Sequence, residues 1–400
     1  MTNAALFAGF SGSSPELMSS EGTVSAALTE ELHLFRQLVR EFIQSEFKPD
    51  QEKWRGQHHP DAEAWTKAGA IGMLLADIPA EYGGGGGTFA HEVVVLEELA
   101  WAGVQFASHI QNVVAQYILA YGAEAQKQDW LPRLARGELV GAVALSEPTA
   151  GSDFAGIATR AVRDGDHYVI NGLKSFVTSG WHSGLVCVAV KTDPKAAGTR
   201  GISMIAVETK DLPGFRRGRP LEKVGMQGQD TCELFFDDVR VPVANLLGGV
   251  EGRGFSQVAD KMNYERLAIA VSAVATTEAA VAITAEHVKE RHAFGKALMD
   301  LQHTRFTLAR CRTEARVGRV FLDDCVRRFL AGRLDEITVA MAKYWLTDTE
   351  CRVVDECLQL HGGMGYMAEH PIANMWVDSR VHRIYAAPNE IMKEIIALSF

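Results

Sequence analysis

The sequence predicts a mainly helical protein with a central β domain, and three observations carry that expectation. Through the first 140 residues apolar side chains recur at three- and four-residue steps, the period of an amphipathic helix. Between about 141 and 247 the pattern changes to short runs of β-favouring residues separated by turn dipeptides. From Phe255 onward, long segments rich in Ala, Val, Leu and Arg restore the helical period, as in a bundle. The expected organisation is an N-terminal arm at 1–27, an α-helical domain at 28–140, a compact sheet domain at 141–247 and a helical bundle at 248–400. Four hundred residues exceed the size at which one core stops growing, so domains sharing interfaces are expected.

Residues 1–27 are rich in Ser, Gly, Ala and Thr without a sustained period, which reads as a mobile or loosely docked arm. Thr29 is placed to cap a helix whose apolar face is Leu32, Phe35, Val39, Phe42, Ile43 and Phe47, ending before Pro49. A second helix is expected over Trp65 to Leu75; Pro79 and the run Gly83 to Gly87 then break the pattern. Five consecutive glycines meet the G-x-G-x-x-G spacing trivially. No βαβ strand precedes them, so they read as a flexible turn. Further helices follow at His91 to Ala102, Ala107 to Tyr121 and Ala125 to Arg136. Strands are expected at Tyr168 to Ile170, Leu185 to Lys191, Ile202 to Glu208 and Cys232 to Phe236. Asp164-Gly165, Asn171-Gly172 and Pro213-Gly214 serve as turn signals. Gly248 to Gly254 reads as a hinge.

Bulk properties exclude several function classes. A formal net charge of -10 opposes non-specific nucleic-acid binding, which depends on clustered cations. No run approaches 18 uninterrupted apolar residues and the start lacks a secretory n-region. No membrane span is expected, and a soluble protein of the cytoplasm or another reducing intracellular compartment is. Six cysteines without a C-x-x-C pair fit reduced, packed thiols. His287 and His292 are five apart, not the i, i+4 zinc arrangement, and no metal site is expected; no G-x-S-x-G elbow is present.

The stretch most suggestive of function is Leu145-Ser146-Glu147-Pro148-Thr149-Ala150-Gly151-Ser152-Asp153. Pro148 biases Glu147 away from helix, Gly151 allows close backbone approach, and Ser146 and Ser152 supply hydroxyls that both donate and accept. Together with Lys174-Ser175-Phe176-Val177-Thr178-Ser179-Gly180 it resembles the paired flavin-binding segments of the acyl-CoA dehydrogenase family. The resemblance runs from about residue 30 to 400, through Tyr121 to Glu138, Lys223 to Pro242, Arg291 to Gln302, Gln359 to Tyr366 and Tyr385 to Ile391. It implies an α-helical domain, a small β-barrel or sandwich and a C-terminal four-helix bundle, with FAD held between the sheet domain and the bundle.

The resemblance implies the following cofactor contacts. Leu145 and Ser146 meet the flavin's pyrimidine edge, with Gly151 beside them. Ser152 meets the pyrophosphate or the CoA arm, Phe176 packs on the ring, and Thr178 reaches N5. Arg291, His292, Phe294 and Gln302 resemble contacts to the diphosphate and adenine side, and Gln359, Leu360, Gly362 and Gly363 a segment lent by a neighbouring subunit. Pro388 and Glu390 complete the cofactor set, and Asn263, Tyr264, Arg266, Tyr385 and Ala386 join Ser152 as substrate contacts. A tetramer built as a dimer of dimers and an electron-transferring flavoprotein as acceptor are the expected partners.

The implied reaction is α,β-dehydrogenation of an acyl-CoA to the trans-2-enoyl-CoA, which needs a poorly solvated carboxylate as base and donors on the thioester oxygen. In many members the base follows the tyrosine of a Tyr-Glu-Gly-Thr segment; here that segment is Tyr385-Ala386-Ala387-Pro388, and Ala386 cannot be a base. Glu265, in Asn263-Tyr264-Glu265-Arg266-Leu267, resembles the base of the long-chain and isovaleryl branches. Leu267, Ile269 and Val271 imply a buried helix, and Arg266 at i+1 faces elsewhere. A solvated helix Glu is the alternative for Glu265. For the whole chain the alternatives are a flavin-dependent oxidase or lyase on an acyl-CoA-like thioester with the same fold, or a non-catalytic flavoprotein or nucleic-acid-binding relative. Gln229 stands where many relatives carry a serine, and Asn263 where an aspartate is common; Leu99 to Gln116 is expected to set the pocket floor.

Overall fold

A computed structural model describes residues 30–400; the arm at 1–27 and the Thr29 cap lie outside the described residues. Helix α1 (Glu30–Phe42) continues through a π-helical turn at Ile43–Phe47 and a 3-10 turn at Lys48–Asp50, where Pro49 has no N–H to extend the ladder. Leu32, Val39, Ile43 and Phe47 are buried, with Phe35 and Phe42 packed against them, as the sequence period predicts. Helices α2 (Gln51–Gln57) and α3 (Ala62–Ala70) follow. The latter stops short of the expected Leu75 because the chain turns at Gly72, which has φ 74°.

The glycine run differs from expectation. It is not a loose turn: Gly85, Gly86 and Gly87 donate their N–H groups to Leu75, Ile78 and Ala76 carbonyls at 3.0, 2.8 and 2.9 Å. A Cβ on Gly84 would sit 2.3 Å from the Ile78 carbonyl oxygen, so glycine is required for close approach. Thr88 then caps α4 (Phe89–Ala102), followed by α5 (Ser108–Tyr121) and α6 (Glu124–Ala135).

The middle of the chain forms one curled sheet of strands β1 (Gly141–Ala144), β2 (Arg160–Asp164), β3 (His167–Thr178), β4 (Leu185–Lys191), β5 (Ile202–Glu208), β6 (Phe215–Arg217) and β7 (Thr231–Pro242). The order is β1-β4-β2-β3-β7-β6 with β5 on β4, around a core including Val186, Val188, Ile205, Leu234 and Val239. Asn171-Gly172 is not a turn. It lies inside β3, where the β3–β7 register shifts between Ile170 and Gly172. A second shift falls between Lys174 and Val177, and this one shapes the site described below.

The C-terminal region is built on α7 (Gly254–Glu290), which packs against α4, α5, α8 (Gln302–Leu330) and α9 (Glu336–His361). A two-stranded hairpin, β8 (His292–Ala293) and β9 (Lys296–Ala297), leads into α8. Short helices α10 (Pro371–Ser379) and α11 (Asn389–Ala397) lie against α9. By length and composition α7 could cross a membrane, but 72% of its most apolar window is buried inside the protein, as expected of a bundle's central helix. A buried ionic chain fastens the helical layers: Arg36 of α1 meets Glu97 (2.6 Å) and Glu98 (2.9 Å) of α4, and Arg319 of α8 meets Glu97 (2.6 Å) and Glu278 of α7 (2.5 Å). All six cysteines are free thiols.

Candidate active site

The loop at Leu145–Asp153 and the end of β3 are held side by side. Ser175 N–H donates to the Ser146 carbonyl at 2.9 Å, and Lys174 Nζ donates to the Leu145 carbonyl (3.0 Å) and Glu147 Oε1 (2.7 Å). Glu147 also accepts the N–H groups of Ala158 (2.5 Å) and Thr159 (3.0 Å). Burial raises this carboxyl, but Lys174 and the two N–H donors outweigh it, leaving Glu147 below its ordinary range. Burial in turn pushes Lys174 down to about 8, against the opposing pull of Glu147.

The second register shift in β3 turns Phe176 out of the ladder with φ 56° and leaves its ring 70% exposed. Thr178, paired with Thr231 at the strand end, and Ser146 have side-chain hydroxyls without a hydrogen bond among the described residues, and buried Ser179 Oγ has no partner. An uncovered aromatic ring flanked by free hydroxyls suits a planar ring with a polar edge, so these residues fit an isoalloxazine. Gly151 and Ser152 lie exposed at the tip of the same loop.

Glu265 projects from α7, half-buried, and makes no hydrogen bond or ion pair among the described residues. Burial raises its carboxyl to about 7 against the weaker opposing influence of Arg266 and Lys343. Arg266 is occupied elsewhere, 3.5 Å from Glu336 across the bundle. Leu267, Ile269 and Val271 are buried, the last two at 4% and 0% exposure.

Near enough to Glu265 for Tyr385 to feel its charge lies the turn Tyr385-Ala386-Ala387-Pro388. Ala386 and Ala387 adopt φ 49° and 71°, the left-handed region, and Pro388 precedes α11 as its cap position. Lys343 pins the turn by donating to the Ala387 carbonyl (2.8 Å) and Asn389 Oδ1 (2.9 Å). Burial holds the Tyr385 hydroxyl well above its ordinary range, with Glu350 and Glu265 adding to it, so Tyr385 stands within the field of both acids.

Beyond Tyr385 lies a pocket whose empty space, counting the part open to solvent, is ≈ 660 Å³. Its α7 wall is Ser272 and Thr276, on the same helical stripe as Glu265 and Ile269. Leu99, Ala100, Gly103 and His109 form the floor within the expected Leu99 to Gln116 stretch, and Gln229 closes one side. Sequence reasoning missed His109, Glu350 and His382: each is a single residue in a helical pattern, and only the tertiary packing of α5, α9 and the segment before Tyr385 brings them together.

Other expected residues do not line this cavity. Tyr264 is turned into the core, its hydroxyl donating to Asp77 at 2.9 Å and its ring 5.1 Å from Phe89, so it does not face the cavity. Asn263 is half-buried on α7 and Glu390 exposed on α11. Arg291, His292, Phe294 and Gln302 are exposed around the β8–β9 hairpin, Phe294 at 93%. Gln359, Gly362 and Gly363 are exposed at the end of α9, with Leu360 half-buried. These two groups are neighbours, because His287, four residues before Arg291, stacks on His361 with ring centroids 4.2 Å apart.

Comparison with known proteins assigns this arrangement. The N-terminal, middle and C-terminal domain families of acyl-CoA dehydrogenases match residues 29–138, 142–239 and 252–399. The mouse mitochondrial long-chain specific acyl-CoA dehydrogenase is 42% identical over 92% of this chain and 86% of its own. The crystal structure of an acyl-CoA dehydrogenase from Geobacillus kaustophilus superposes with a TM-score of 0.91 at 45% identity, covering 93% of this chain and 98% of that one. A chain from the structure of the electron transferring flavoprotein of Acidaminococcus fermentans gives 0.87 at 31%, covering 93% and 98%. This chain belongs to the acyl-CoA dehydrogenase family, FAD-dependent oxidoreductases that act on the CH–CH bond of acyl-CoA thioesters.

Proposed function

We propose that this protein oxidises an acyl-CoA to its trans-2-enoyl-CoA with Glu265 as the base that removes the α-proton. The supporting observation is the state of that carboxyl: half-buried, free of partners, raised to about 7, and on the helix stripe that continues into the cavity. A base poised near working pH is both deprotonated often enough and basic enough to take a weakly acidic proton. FAD, when bound, supplies the acceptor for the β-hydrogen, which leaves as hydride. Phe176, Thr178, Ser146 and Leu145 would hold its ring, and Ser152 and Gly151 the chain beyond it. The N–H of Ala386, in the turn pinned by Lys343, is assigned to the thioester oxygen, where a donor stabilises enolate-like charge.

Electrons pass on to an electron-transferring flavoprotein in this reading; the Acidaminococcus fermentans likeness supports it. The assembly is a tetramer, a dimer of dimers. Glu265 and Arg291 are 26 residues apart on and just beyond one straight helix, about 39 Å at 1.5 Å per residue, so one dinucleotide does not span both groups. The Arg291 and Gln359 groups therefore serve a cofactor lodged in a neighbouring copy. Exposed Phe294 (93%) and Tyr366 (83%) beside them fit burial in that contact.

The test is Glu265→Gln. The variant keeps bound yellow flavin and loses flavin bleaching by acyl-CoA under anaerobic conditions. Undiminished bleaching removes Glu265 from the mechanism, and rapid peroxide formation under air without an added acceptor replaces the dehydrogenase reading with an oxidase.

A further inference from the structure

The cavity beyond Tyr385 presents a mainly apolar surface, but polar groups are set into it: ten of its eighteen lining residues are polar. Several of these polar groups have no partner. His109 makes no hydrogen bond among the described residues, and neither does the Gln229 amide, although that residue is only 5% exposed. The Tyr385 hydroxyl is likewise without one. His382 points Nδ1 at the Glu350 carboxylate, 2.8 and 3.0 Å from its oxygens, leaving Nε2 unpaired, and its ring stacks on Tyr385 at 5.6 Å. Thr276, on the α7 wall, lies close enough to Glu350 to lower its carboxyl.

We propose, resting on the dehydrogenase reading above, that the acyl chain accepted here carries a neutral oxygen function, a hydroxyl or ketone, at the end remote from the thioester. Thr276 lies eleven residues beyond Glu265 on α7, about 16 Å along the helix, so the polar end is well separated from the reacting carbons. Neutral oxygen is favoured over a carboxylate by the charge of the walls. The lining contains no Arg or Lys, Glu350 is matched by His382, and Asp378 is taken by Arg55 at 3.1 Å. Burial, with His382 opposite, pushes His109 down to about 4, so at neutral pH it offers one N–H donor and one nitrogen acceptor. A methyl terminus would leave those groups unpaired in the complex, the situation in which enzymes discriminate most strongly.

The experiment uses the FAD-loaded protein and acyl-CoAs of matched length ending in methyl, hydroxymethyl, methyl ketone or carboxylate. Flavin bleaching rates are measured, and calorimetry follows binding of the corresponding 2-enoyl-CoAs. Hydroxyl or ketone ends are expected to exceed methyl and carboxylate ends by about tenfold or more in kcat/KM and in affinity. His109→Leu in the floor and Gln229→Leu at the side each shrink that ratio about tenfold, while His109→Gln keeps most of it. Methyl ends that bind and react as well at every length, or a ratio unmoved in flavin-retaining His109→Leu, overturn the proposal. Preferential binding of oxygenated chains without any bleaching instead overturns the dehydrogenase reading and leaves the pocket assignment standing.

Discussion

Glu147 is a buried acid and Glu265 a half-buried one, and burial is the largest influence on each, yet their carboxyls end on opposite sides of the ordinary value. Glu147 has Lys174 at 2.7 Å and two backbone N–H donors; Glu265 has two cations near enough to be felt and neither near enough to touch. Burial therefore sets the stakes and the count of direct donors sets the sign. One acid becomes a fastener that joins the loop at Leu145 to strand β3. The other is left able to take a proton.

The sharpest way to break that contrast is to remove Glu265's charge. Glu265→Gln should lower the rate of flavin reduction about 10²- to 10⁴-fold, the range a positioned general base contributes, with flavin content unchanged. In the unsubstituted enzyme kcat/KM should rise with pH and level off above about 7, because only the deprotonated carboxyl accepts the proton. A profile flat through that region would place the base elsewhere.

Removing the fastener should act on stability instead. Lys174→Met leaves Glu147 charged and buried without its cation and should cost about 3–5 kcal/mol, read as a lower Tm and loss of bound flavin. Adding Glu147→Gln to the same chain should restore much of that loss. If Lys174→Met alone melts normally, the pair is not the fastener described here.

The two acids also differ in how they were readable. The helix that carries Glu265 was legible from its period and apolar neighbours, whereas the choice of that residue rested on its resemblance to the base of the long-chain and isovaleryl branches. Strands Leu185–Lys191 and Ile202–Glu208 were legible for the same kind of reason, a continuous β-favouring run. The bulge that exposes Phe176 was not. Its cause is a register shift against β7, and pairing partners sixty residues apart leave no local mark. Asn171-Gly172 misled for that reason too, since a turn dipeptide and a bulge draw on the same backbone freedom. The Glu147–Lys174 pair and the cavity trio of His109, Glu350 and His382 depend wholly on tertiary placement.

The contrast extends to pH-dependent stability. The Glu265 carboxyl binds its proton more tightly in the native state than in the unfolded chain, so stability is full below about 4.5 and is lost as pH rises through about 7. Glu147 behaves oppositely: its contribution is present above the ordinary carboxylate value and is lost on acidification. Glu265→Gln should therefore melt higher than the parent at pH 8, by about 1–3 kcal/mol, and lose that advantage near pH 5. Equal melting curves at pH 8 would show that the carboxylate is better solvated than its surroundings imply.

The smallest effect expected concerns the turn near Glu265. Ala387 holds φ 71°, where a Cβ costs roughly 1–2 kcal/mol, and glycine would remove that cost. Glycine also enlarges the unfolded ensemble, which takes back about 0.4–1 kcal/mol. The net expectation for Ala387→Gly is a gain of about 0.5–1 kcal/mol, a rise in Tm of a few degrees or less. Because Lys343 holds the turn through the Ala387 carbonyl and Asn389, both untouched by the change, kcat/KM should stay within about twofold. A large fall in rate with unchanged Tm would mean that the strain at Ala387, rather than the Lys343 clamp, sets the position of the Ala386 N–H.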